Sequence, residues 1–190
     1  MSVLTAANQL TFVRILLVPV FALCMLYDMP GWALFTFLAA GVTDLFDGLI
    51  ARWSGQSTTL GAWLDPMADK LLLVTTFIVL TIPAVPLTNH LPLWYTVSVI
   101  SRDVVIIGVV AIVNLAVGPR TFRPSVWGKM TTAALILTSV IVMYFNYRGQ
   151  DSVVVDIAIW LSFALTAISA ADYFLRLRLL INEPLPPAST

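Results

Sequence analysis

Four aspartates, Asp44, Asp47, Asp65 and Asp69, fall within one short stretch of an otherwise apolar chain. Asp44 and Asp47 are spaced i, i+3 and Asp65 and Asp69 i, i+4, so on helices each pair shares a face. Carboxylates converging in a low dielectric repel one another and stay ionised only with cations among them. Lys70 and Arg52 are candidate sources of part of that charge. A bound divalent metal is the more economical answer, and all-oxygen ligands suit Mg²⁺ or Mn²⁺ rather than Zn²⁺. Four carboxylates suffice for two ions with shared bridges, the arrangement used for phosphoryl displacement.

The elements that must carry these residues are set by composition. Of 190 residues, 59% are hydrophobic and 11% charged, against about 45–50% and about 25% in soluble domains. That deviation points to a membrane protein. Zero net charge gives a nucleic-acid partner no electrostatic support. The single cysteine, Cys24, excludes an intrachain disulfide, and with the lone His90 it offers no Cys/His metal site. Cys24 reads as a packed or lipid-facing residue, and His90, between Pro86 and Pro92, as a loop residue.

Six apolar stretches have the length of about 20 residues that a helix needs to cross a bilayer. They are Leu10–Leu26, Trp32–Ile50, Leu60–Ile82, Leu93–Val117, Val126–Phe145 and Val153–Leu175. None alternates as a spanning strand would, so an all-α integral membrane protein with six transmembrane helices is expected. The first stretch lacks a basic n-region and a small-residue cleavage site and reads as a retained span. Residues 1–181 form a single transmembrane domain, and the proline-bearing tail 182–190 is expected to be disordered. Arg52, Arg120, Arg123, Lys129, Arg176 and Arg178 lie on one side and Arg148 on the other. The positive-inside rule then puts both termini, and the aspartate-bearing ends of spans two and three, at the cytoplasmic face. The short connection makes those two spans antiparallel neighbours whose acidic faces can meet.

Charges within spans cost about 2.5–3.5 kcal/mol each at a helix centre and mark function by default. Gly48, Ala51, Gly61 and Ala62 beside them permit close approach to the backbone, by a ligand or by a packed helix. The run Asp44-Leu45-Phe46-Asp47-Gly48-Leu49-Ile50-Ala51-Arg52, then eight residues to Gly61, three to Asp65 and three to Asp69, resembles the signature of the CDP-alcohol phosphatidyltransferases. Every fixed position of that pattern, D-x2-D-G-x2-A-R-x8-G-x3-D-x3-D, is filled with the spacing intact. Eight specified positions in twenty-six residues make the signal specific, and the six-span pattern extends the resemblance over nearly the whole chain.

The resemblance implies that Asp44, Asp47, Asp65 and Asp69 hold one or two divalent cations, Mg²⁺ or Mn²⁺, that engage the diphosphate of a CDP-linked lipid. It implies that Asp69 doubles as the general base toward the acceptor hydroxyl, and that Gly48, Ala51, Arg52 and Gly61, with Asn8, contact the CDP donor. Arg52 has the alternative of snorkelling to the interface. Arg102, Arg123 and Lys129 would take an acceptor phosphate, since arginine grips phosphate bidentately. The alternative for Arg102 is an ion pair with Asp103 or with an aspartate of the cluster, and for Arg120 and Arg123 a headgroup anchor.

The opening Asn8-Gln9-Leu10-Thr11-Phe12-Val13-Arg14-Ile15 resembles the branches that make phosphatidylglycerophosphate or cardiolipin. Asn8, Thr11 and Arg14 share a helical face, and Arg14 is expected to point at the cytoplasmic pocket. The pair Arg102-Asp103 leans toward the CMP-forming cardiolipin synthases, where the glycerophosphate enzymes often carry Arg-Glu. The expected activity is transfer of a phosphatidyl group from CDP-diacylglycerol to glycerol 3-phosphate with release of CMP. Phosphatidylglycerol is the alternative acceptor, and a cation transporter the distant alternative. The resemblance also implies a homodimer, and the setting expected is a bacterial inner membrane with the active site facing the cytoplasm.

Overall fold

The computed structural model describes residues 6–54, 59–117 and 125–182, with side chains described over 9–44, 64, 67–109 and 125–175. The described residues form six helices: α1 (Ala6–Leu26), α2 (Pro30–Ser54), α3 (Thr59–Thr81), α4 (Leu93–Val117), α5 (Val126–Arg148) and α6 (Val153–Asn182). No strand occurs among the described residues. Each helix falls on one of the six apolar stretches. α6 continues through Asn182, and residues 183–190 lie outside the described ones. α1, α5 and α6 are, by length and composition, able to cross a membrane.

The helix ends follow local chemistry. α1 closes through Tyr27 N–H donating to Leu23 O (2.9 Å) and Met29 N–H to Cys24 O (2.8 Å). Asp28 turns the chain with φ 57°, a left-handed conformation that aspartate tolerates better than bulkier residues. Pro30 then opens α2, where its fixed φ suits the first turn and its missing N–H costs nothing. Ser125 caps α5 by accepting from Gly128 N–H at 3.0 Å. Gly149 ends that helix at φ 61°, its N–H returning to Asn146 O. The α3–α4 connection is pinned to this end, because Asn89 N–H donates to Asn146 Oδ1 (2.7 Å) and Asn146 Nδ2 to Asn89 O (3.0 Å). His90 is an exposed residue of that connection, its Nε2 3.1 Å from Val85 O.

The surface is apolar and much of the interior is not. Leu16, Trp32, Phe35, Leu93 and Phe174 are exposed, while Thr11, Thr131, Ser139, Ser162 and Ser169 are buried. A soluble fold would pay for that apolar surface in water; a bilayer does not. The buried hydroxyls are satisfied within or between helices: Ser139 donates to Leu135 O (3.0 Å), Thr131 to Leu165 O (3.0 Å), and Tyr95 pairs with Ser162 at 2.6 Å. Small and hydroxylated residues of this kind let helices approach closely in lipid. Phe21, Phe37, Phe77, Tyr95, Val142 and Met143 fill the apolar part of the core, and Cys24 packs against it.

α1 lies against both α2 and α3, α5 joins α2 to α6, and α4 sits between α3 and α6. Among the described residues α1 thus packs on both α2 and α3. The apposition of α2 and α3 expected from the short connection falls at their linked ends, whose side chains lie outside the described residues.

Candidate active site

Arg14 of α1 reaches two of the four aspartates. Its Nη2 is 3.0 Å from Asp44 Oδ1 on α2 and its Nη1 2.7 Å from Asp69 Oδ1 on α3. The guanidinium is 1% exposed, whereas the carboxylates are 46% and 45% exposed. Ala40, one turn before Asp44, and Ala68, next to Asp69, are fully buried and leave room for α1 to come close. Arg14 is thus one cation that stands among the aspartates. Lys70 had been a candidate for that place, but it pairs with Asp103 of α4. The sequence carried a signal for Arg14, a charge at helical spacing from Thr11 inside an apolar run, and Thr11 is itself fully buried.

Asp69 and Lys70 are consecutive, so on a helix they point about 100° apart. One faces α1 and α2; the other faces a second charged group. There Asp103 accepts from Lys70 and, at 2.7 Å, from Arg102 Nη1. Arg102 also donates to Ser169 Oγ of α6 and lies 5.9 Å from the centroid of the Tyr173 ring, within cation–π range. Its buried Nε has no hydrogen-bond acceptor among the described residues. Lys70, Arg102, Asp103, Gly128, Lys129, Thr132 and Tyr173, with Ile106 and Ile107, line a recess of about 240 Å³. Gly128 narrows nothing: a Cβ there would meet Arg102 Nη2 and Tyr173 Cε2 only at 3.6 Å.

The ion-pair reading of Arg102 is what the structure shows. It is ion-paired with Asp103, and it lines a cationic recess together with Lys129. Lys70 and Tyr173, which line this recess, and Ser169, which holds Arg102 beside it, had not been singled out for these places. They come from α3 and α6, and the sequence spacing gives no reason for those helices to meet α4 there.

Asn8, Asp47, Gly48, Ala51, Arg52, Gly61, Asp65 and Arg123 were expected in the site, and their side chains lie outside the described residues. Among the described residues no three His, Cys, Asp or Glu side chains converge. Asp44 and Asp69 do converge, from separate helices, on a single positive charge. Two half-exposed carboxylates brought that close form an all-oxygen donor pair that suits a hard divalent cation.

Comparison with known proteins agrees with this geometry. Residues 4–168 match the family model described as CDP-alcohol phosphatidyltransferase. A Mycobacterium tuberculosis protein named "Probable phosphatidylglycerophosphate synthase" is 33% identical over 178 residues, covering 90% of this chain and 80% of the relative. The human and rat proteins named "Cardiolipin synthase (CMP-forming)" are 34% and 36% identical, and the match covers 90% of this chain and 60% of each relative. An acidic pair joined through a buried arginine, a cationic recess beside it, and a family match across most of the bundle agree in one conclusion: the chain belongs to the CDP-alcohol phosphatidyltransferases, and it is a phosphatidyltransferase enzyme of phospholipid synthesis.

Proposed function

We propose that the enzyme transfers the phosphatidyl group of CDP-diacylglycerol to the primary hydroxyl of glycerol 3-phosphate, releasing CMP. The observation that carries the acceptor assignment is the recess lined by Lys70, Arg102 and Lys129 on the flank of α3 next to Asp69. Three cations less one carboxylate, Asp103, leave two formal positive charges among its described lining residues. A phosphate monoester, carrying close to two negative charges at neutral pH, matches that balance better than the single charge of a diester.

In this reading Asp44, Asp47, Asp65 and Asp69 hold Mg²⁺ or Mn²⁺, as one or two ions. Bound there, a divalent ion polarises the phosphorus and stabilises charge on the departing CMP. The chain's own residues do the rest. Asn8, Gly48, Ala51, Arg52 and Gly61 contact the CDP donor. Arg102, Arg123 and Lys129 grip the acceptor phosphate, with Lys70 on the same wall. Asp69 takes the acceptor's hydroxyl proton as that oxygen bonds to the phosphatidyl phosphorus and the bond to CMP breaks. All six helices span the membrane, with both termini and the site at the cytoplasmic face of a bacterial inner membrane, and the working unit is a homodimer.

Phosphatidylglycerol as acceptor, giving cardiolipin, is the second reading. It is favoured by the Arg102–Asp103 ion pair and by the likeness to the two CMP-forming cardiolipin synthases. The purified protein, given CDP-diacylglycerol and Mg²⁺ or Mn²⁺ with each acceptor in turn, is expected to release CMP with glycerol 3-phosphate. Release with phosphatidylglycerol alone would establish the second reading, and release with neither would sink both.

A further inference from the structure

We propose that Arg14 is a built-in counter-cation for the aspartate cluster: it holds Asp44 and Asp69 together when no divalent ion is bound, and it sets the affinity for that ion by competing with it electrostatically. The inference rests on the metal reading above and deepens it.

Three observations support it. The guanidinium is 1% exposed, so its charge sits in the protein and its partners must stabilise it there. It bonds to carboxylates on two different helices, at 3.0 Å to Asp44 and 2.7 Å to Asp69, so one side chain ties α2 and α3 together through their acidic groups. The cation nearest in sequence, Lys70, is committed to Asp103. A neutral residue at position 14 would leave the acidic groups to repel one another until a divalent ion arrived. The same substitution removes a positive charge from beside the bound ion, and the ion then binds more tightly. For a doubly charged ion several ångströms from the guanidinium, beside half-exposed carboxylates that keep water near, the expected gain is about tenfold. Arginine suits the role because its planar fork serves two carboxylates at once, while lysine offers a point charge.

The test uses the full chain purified in detergent, with thermal unfolding followed with and without Mn²⁺. Arg14→Gln is expected to unfold at lower temperature than the unsubstituted protein without metal. Mn²⁺ should then raise its midpoint further than it raises that of the unsubstituted protein, with the half-maximal Mn²⁺ concentration about tenfold lower. Arg14→Lys, which keeps the charge, should show a metal response close to that of the unsubstituted protein. A role in helix packing alone predicts that both variants lose stability and that neither changes its response to Mn²⁺. That result, or a weaker Mn²⁺ response in Arg14→Gln, would overturn the proposal. If Arg14→Gln can be isolated folded only with Mn²⁺ present, that supports it. If Mn²⁺ leaves the unsubstituted protein's midpoint unmoved, the metal reading itself fails, and that outcome is distinct from failure of the Arg14 proposal.

Discussion

At the scale of single residues, two charged groups among the described side chains share α3. Asp69 joins Asp44 through Arg14, and Lys70 joins Arg102 through Asp103. The proposed base role of Asp69 makes a specific prediction. Asp69→Asn should lower kcat by at least about a thousandfold while much of the donor binding survives, because the amide accepts no proton yet keeps its shape. Equal losses in rate and in CDP-diacylglycerol binding would remove the base role. Asp103 differs, since its ion pairs among the described residues are with two recess cations, Lys70 and Arg102. Asp103→Asn should raise KM for glycerol 3-phosphate about tenfold, through misplacement of Lys70 and Arg102, and leave donor KM unchanged. A change confined to donor KM would detach the recess from the acceptor.

At the scale of elements, the ends of α5 show how local chemistry supports the site. Ser125 fixes the start of the helix that carries Gly128 and Lys129 into the recess. Ser125→Ala should cost about 1 kcal/mol, the usual value of a lost N-cap, read as a fall in thermal midpoint and accompanied by a rise in acceptor KM. Gly149 stands at the far end in a left-handed conformation with no atom near a prospective Cβ. Gly149→Ala should therefore cost about 1 kcal/mol through backbone strain alone, with KM unmoved. The places of all six helices were legible in the chain because hydrophobic length marks each one and turn residues mark the breaks, although α6 runs on to Asn182, past the expected Leu175. The partners of those helices were not. Apolar faces in lipid differ little from one another, so the sequence did not reveal that α1 would pack on both α2 and α3.

At the scale of the whole molecule, apolar side chains face outward and hydroxyls, asparagines and one arginine are buried, as expected where the surrounding solvent is hydrocarbon. The orientation proposed from the basic residues can be read directly. In a Cys24→Ser background, a cysteine replacing Gln150 should react with a membrane-impermeant thiol reagent added outside intact cells, and one replacing Gln56 should not. The reverse pattern would invert the topology and put the site on the other face.

The sequence alone determined the class of molecule, the six helices and the family, because hydrophobic length and the aspartate spacing are local properties that survive without knowledge of neighbours. It also marked Asp44, Asp69, Arg102 and Lys129 as candidates for chemistry. Tertiary structure alone decided which charge answers which. Lys70 lies beside Asp69 in the chain, yet helical geometry turns it toward Asp103, while Arg14, fifty-five positions away, supplies the positive charge that Asp69 meets. Ion pairing in a membrane is settled by which helices pack together, and that is fixed by the assembled bundle rather than by distance along the chain.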